Sequence, residues 1–205
     1  MRARSTIAPG TAGPSGVSGL WLLEPDGSIT PVVRQPNQIQ YDWGFVVAQL
    51  VGFGQLEYRP STIFLEYENV DNPATSVTPP TFDRDEGIGY YDDLSLSSAK
   101  DYIRVPLNSA PALGVAAGFE DYFVAAGTGN KLTYMGITTG SVGVHGRPFA
   151  NANNSKIYGA ALVVTPDEND HSKDLILART YYTTENQIVK DAVRQFVPTW
   201  EVAFK

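Results

Sequence analysis

The chain contains no cysteine. That excludes a disulfide framework, a thiolate metal site and a cysteine nucleophile. Histidine is nearly absent too, with only His145 and His171 in 205 residues. No apolar run approaches the roughly 18 residues of a membrane span. The N-terminus carries Arg2 and Arg4 but no apolar core of a signal peptide, so a soluble protein made in a cytoplasm is expected. Lys/Arg blocks are missing as well. Nucleic-acid binding depends mainly on clustered bases that neutralise phosphates, so no nucleic acid, and no membrane, is expected as a partner.

The net charge of −7 is local. Between Glu66 and Asp93 stand eight acids (Glu66, Glu68, Asp71, Asp83, Asp85, Glu86, Asp92 and Asp93) against Arg84 alone, which accounts for the whole excess. Calcium loops place oxygen ligands at alternating positions around a glycine turn. Asp83 and Asp85 alternate in that way, but Gly87 takes the next ligand position and Leu94 stands where a closing Glu is needed. A solvated acidic loop without a metal is the expectation.

Catalytic signatures are equally scarce. The chain has no phosphate-binding loop and no nucleophile elbow. Gly127-Thr128-Gly129 has no third glycine and no helical pattern behind it, so it reads as a hairpin turn. His145 lies in Gly143-Val144-His145-Gly146-Arg147-Pro148, a turn sequence with no carboxylate nearby to orient a general base. His171, within Asp167-Glu168-Asn169-Asp170-His171, reads as a solvated loop residue. No catalytic residue, cofactor or metal ligand is assigned. The chain is expected not to be an enzyme.

From Leu20 onward the sequence is a succession of short β-like runs. Leu20–Leu23 and Ile29–Val33 flank the turn signal Pro25-Asp26-Gly27. Trp43–Phe53 is mostly apolar. Ile63–Glu68 alternates, with Glu66 and Glu68 on one face and Leu65 and Tyr67 on the other. Tyr102–Leu107, Leu132–Thr138, Ile157–Thr165, Leu175–Tyr182 and Thr199–Phe204 complete about nine strands. With 19 Gly and 14 Pro, an all-β fold of β-sandwich or jelly-roll type is predicted for residues 20–205. One short C-terminal helix is predicted at Asn186–Phe196. Ile188, Val189, Ala192, Val193 and Phe196 have helical spacing there, and Thr184 with Gln187 fits a capping box.

Residues 1–19 differ from the rest. They are mostly Gly, Ser, Pro, Ala and Thr, with no acid and only Ile7 and Val17 as sizeable apolar side chains. Such a segment buries too little apolar surface to offset its ordering entropy. It reads as an extended arm that reaches neighbouring subunits through Arg2, Arg4, Ile7 and Val17. Tyrosine and tryptophan are enriched at interfaces. Trp21, Trp43 and Trp200 are assigned to the core. Tyr90, Tyr91, Tyr181 and Tyr182 are candidate partner-binding residues, because adjacent strand residues point to opposite faces.

The segments Tyr90-Tyr91-Asp92-Asp93, Gly118-Phe119-Glu120-Asp121-Tyr122-Phe123, Gly143–Phe149, Asn154–Gly159 and Trp200-Glu201-Val202 resemble those of virion structural proteins of tailed bacteriophages. The resemblance spans most of residues 20–205 and carries no catalytic assignment. It implies a virion component: a capsid decoration or cement protein that binds the major capsid protein, or a head–tail or tail-fibre-attachment protein. A homo-oligomer, with a trimer favoured, is the associated expectation, assembled in a host cytoplasm. The alternative of another class is a carbohydrate-binding or polysaccharide-degrading virion protein.

Overall fold

Alternation of apolar and small or polar residues sets the strands, and a Pro-Asp-Gly turn starts the fold. The computed structural model describes residues 15–39, 42–68, 100–107, 131–138, 156–170, 173–189 and 193–203. Strands β1 (Ser15–Leu23) and β2 (Ile29–Ile39) form an antiparallel hairpin. Its turn closes where the Gly27 N–H donates to the Glu24 carbonyl and the Ser28 N–H donates to Asp26 Oδ1 at 2.8 Å. Gly27 sits at φ 84°, a conformation that glycine adopts at no steric cost.

The remaining strands are β3 (Thr62–Glu68), β4 (Lys100–Pro106), β5 (Lys131–Met135), β6 (Lys156–Val164), β7 (Leu175–Tyr181), β8 (Ile188–Val189) and β9 (Gln195–Ala203). All pairs are antiparallel, in the spatial order β4-β3-β6-β7-β2-β1-β9-β5, with β8 beside the start of β6. The order divides into two sheets. Strand β2 belongs to both, pairing with β1 over most of its length and with β7 at Gln38 and Ile39. At the far ends of the order, Leu107 bridges Gly136, just beyond β4 and β5.

One apolar core takes side chains from both sheets. Leu20, Leu22, Phe196, Trp200 and Val202 come from one, and Ile63, Leu65, Tyr67, Leu162 and Leu177 from the other. Each fully buried aliphatic or phenylalanine side chain contributes about 1.5–3 kcal/mol. Trp200 is fully buried, and its indole N–H donates to Asn37 Oδ1 at 2.7 Å across β1. Trp43 is buried as expected, whereas Trp21 is half-buried outside this core and donates to Thr199 Oγ1.

Three sequence expectations need correction. The described residues of Asn186–Phe196 form no helix: a 3-10 turn at Thr184–Asn186 leads into β8, and β9 begins at Gln195. Nine consecutive rungs between β9 and β1 outweigh the local helical spacing. The run Trp43–Phe53 is not a strand. It forms helix α1 (Asp42–Val47), which widens into a π-helical turn at Ala48–Gly52. Finally, residues 15–19, grouped by composition with the arm, form the first half of β1, where Ser18 and Gly19 are buried. Residues 1–14 lie outside the described residues.

Candidate functional site

The face of β3 turned away from the core carries Phe64 and Glu66, and it is sealed. Phe64, Ala161, Val163 and Ile176 are buried there, so this sheet is covered on both faces. Arg179 of β7 reaches across β6 to Glu66, with Nη2 2.6 Å from Oε1. Both side chains are almost completely buried. The passage between them depends on Gly159 and Ala161, which stand between the two strands in register. A Cβ at Gly159 would lie 2.9 Å from Glu66 Oε2 and 2.9 Å from Tyr181 Cδ1. The guanidinium of Arg179 also stands 4.6 Å from the Tyr181 ring centroid.

A second arginine, Arg104 of β4, lies over the Phe64 ring at 5.4 Å. It donates to Thr165 Oγ1 at 2.6 Å and faces Asp174 Oδ2 at 3.6 Å and Glu168 Oε2 at 3.8 Å. These charged groups hold strands together. Of these contacts the Glu66–Arg179 pair is the short and fully buried one, where losing either side chain is costly.

Tyr181 ends β7 and Tyr182 follows it, and the hydroxyls of both are buried. Tyr182 is fully buried in the core. Burial raises its phenol well above the usual value, with the Glu66 charge adding to the effect. Tyr181 is half-buried and stacks on Tyr158 at 6.4 Å between ring centroids. Val17 is half-buried within β1, between Pro36 and Glu201. Val17 thus lies in one sheet and the tyrosines in the other, so the structure does not bring these candidates to one surface. Arg2, Arg4, Ile7, Tyr90, Tyr91, both histidines and the acids from Asp71 to Asp93 lie outside the described residues. Among the described residues no three His, Asp or Glu side chains group as a metal site.

The most unusual surface is the connection from β2 to β3. Trp43 and Val46 are buried and Leu50 packs against the core, so one side of α1 is anchored at helical spacing. The other side is apolar and exposed: Phe45 is 40%, Val51 83%, Phe53 72% and Leu56 67% exposed. No charged residue occurs from Trp43 to Leu56. A helix that is apolar all round is normally buried, and a π-turn within one often marks a functional site. Phe45 is fixed edge-on to Tyr58 at 5.6 Å. Beyond Leu56 the surface turns polar in a shallow depression lined by Glu57, Arg59, Ser61, Thr165 and Glu168. Sequence reading missed this surface because the run was read as a strand. The signal that identifies it is the i, i+3, i+7 spacing of Trp43, Val46 and Leu50 directly after Asp42.

Among the described residues no helix is long and apolar enough to cross a membrane. No family model matches the chain, and no curated protein or solved structure was found similar to it.

Proposed function

We propose that this chain is a virion structural subunit, a capsid decoration or cement protein that works by binding neighbouring protein subunits. The observation that carries the reading is the charge-free, exposed apolar segment from Phe45 to Leu56, held on a β body. A contiguous apolar patch of this kind marks an interaction surface. Buried charges elsewhere, such as Glu66 with Arg179, are engaged in holding strands, which supports a scaffold over a catalyst. The virion setting rests on the resemblance of the sequence segments quoted above. A head–tail or tail-fibre-attachment protein is the alternative within the same class.

Co-sedimentation tests the reading. Purified full-length chain, mixed with phage capsids that lack it, should pellet with them to a fixed saturating copy ratio. Substituting Phe53→Ser should lower that occupancy. Saturable hydrolysis of a host polysaccharide, or failure to bind any capsid, tail or neck particle, overturns it.

A further inference from the structure

The exposed segment between β2 and β3 has the composition and the rim of a surface that meets its own copy. We propose that Val51, Phe53 and Leu56 form the centre of a two-fold contact with a second copy of this chain. The inference rests on the interaction-surface part of the reading above, not on its virion setting.

Area is the first argument. Phe53 and Phe45 together expose more than one whole phenylalanine, which amounts to about 150–250 Å². Val51 and Leu56, each more than 60% exposed, bring the patch into the range of roughly 300–600 Å² that is the largest on a typical monomer. A standard interface takes roughly 800 Å² from each partner. The patch therefore supplies the apolar centre of such an interface, with the rim to be added around it. Gly44 and Gly52 have open space where a Cβ would stand, so a partner can approach the backbone closely.

Charge is the second argument. The chain's net charge of −7 is accounted for by the stretch from Glu66 to Asp93. Residues 43–56 contain no charge, and burying them desolvates no ion. At the edge of the patch stand exposed Glu57 and Arg59, opposite in sign and two residues apart. In a two-fold contact the same patch faces itself, so residue i meets j while j meets i. Glu57 of one copy then faces Arg59 of the other, twice. An apolar centre with a polar rim is ordinary interface anatomy. A bilayer is disfavoured, because interfacial anchors carry several Lys or Arg and this segment is flanked by Asp42, Glu57 and Arg59.

Sedimentation equilibrium of the full-length chain is the test. The wild type should show the mass of two chains at micromolar concentration. Phe53→Ser should weaken association about thirtyfold or more, as truncating a central aromatic does, with the unfolding midpoint checked to be unchanged. Glu57→Arg and Arg59→Glu should each weaken association several-fold, and the double reversal should return it to within about twofold of wild type. A wild type of any other mass, or a Phe53→Ser variant that stays dimeric, overturns the proposal. So does a monomer that floats with phosphatidylcholine vesicles. Dimers that bind no virion particle would leave this contact standing and sink the virion reading. Monomers that decorate capsids would do the reverse.

Discussion

Arg179 Nη2 and Glu66 Oε1 stand 2.6 Å apart across β6, on side chains 2% and 1% exposed. The pair joins β3 to β7 without either strand touching the other, since β6 lies between them. Removing one partner takes this 2.6 Å contact away from a charge that stays buried. Glu66→Gln and Arg179→Met should therefore each destabilise the fold by about 3–5 kcal/mol. The double replacement Glu66→Gln with Arg179→Met should cost less than the two single changes together, because neither buried charge remains. Urea unfolding of the four proteins checks this, and strict additivity would show that the pair is not coupled.

Gly159 is the opening through which that pair forms. An alanine Cβ there would meet Glu66 Oε2 and Tyr181 Cδ1 at 2.9 Å and the Thr180 carbonyl at 3.1 Å. The carbonyl belongs to the sheet and cannot yield as a side-chain end can. Gly159→Ala should cost about 1–3 kcal/mol, as overpacking of a filled interior does. A neutral result in thermal unfolding would mean that the strands separate freely.

The loop after β6 makes a pH prediction. The Asn169 backbone N–H and the Lys173 ammonium hold Asp167 below its usual value of 3.8. Asp170 and Asp167 hold Lys173 above its usual value of 10.5. A carboxylate lowered by folding adds stability that is complete above its unfolded pKa and is lost as pH falls through the lowered value. A lysine raised by folding adds stability that is present below its unfolded pKa and is lost as pH rises through the raised one. Lys173→Ala should move the Asp167 midpoint only part of the way back, since the Asn169 contact, the larger cause, remains. Carboxyl-detected NMR titration measures this, and an unmoved midpoint would remove Lys173 from the account.

Most strands were legible in the sequence because their pattern is local. Ile63–Glu68 alternates, and Leu65 and Tyr67 do face the core. The Pro25-Asp26-Gly27 signal is the observed hairpin turn. Long-range fit was not legible. Residues 15–19 look unable to bury anything, yet their small size is what β2 and β9 require. A Cβ at Gly16 would collide with Asn37, the residue that accepts the Trp200 indole N–H. Alternation likewise placed Glu66 on a face of its own but could not show that face sealed, because its partner lies 113 residues away. The apolar surface from Phe45 to Leu56 was hidden by composition. A run rich in Val, Phe and Leu suits a strand as well as a helix, and only its anchoring through Trp43 and Val46 decides between them.

That anchoring gives the last prediction, a contrast between two sides of one short helix. Trp43 is 7% exposed and packs in the core, whereas Val51 is 83% exposed. Trp43→Ala opens a cavity and should cost about 3–5 kcal/mol. Val51→Ser removes almost no buried surface, so its effect on unfolding should stay within about 0.5 kcal/mol. Solubility should then improve with Val51→Ser, since the exposed patch shrinks. If Val51→Ser instead unfolds the protein, the exposed side belongs to the folding core and cannot serve as a docking surface. If it is neutral, an uncharged apolar face persists on this chain with no role in its stability. Its presence is then explained by what it binds.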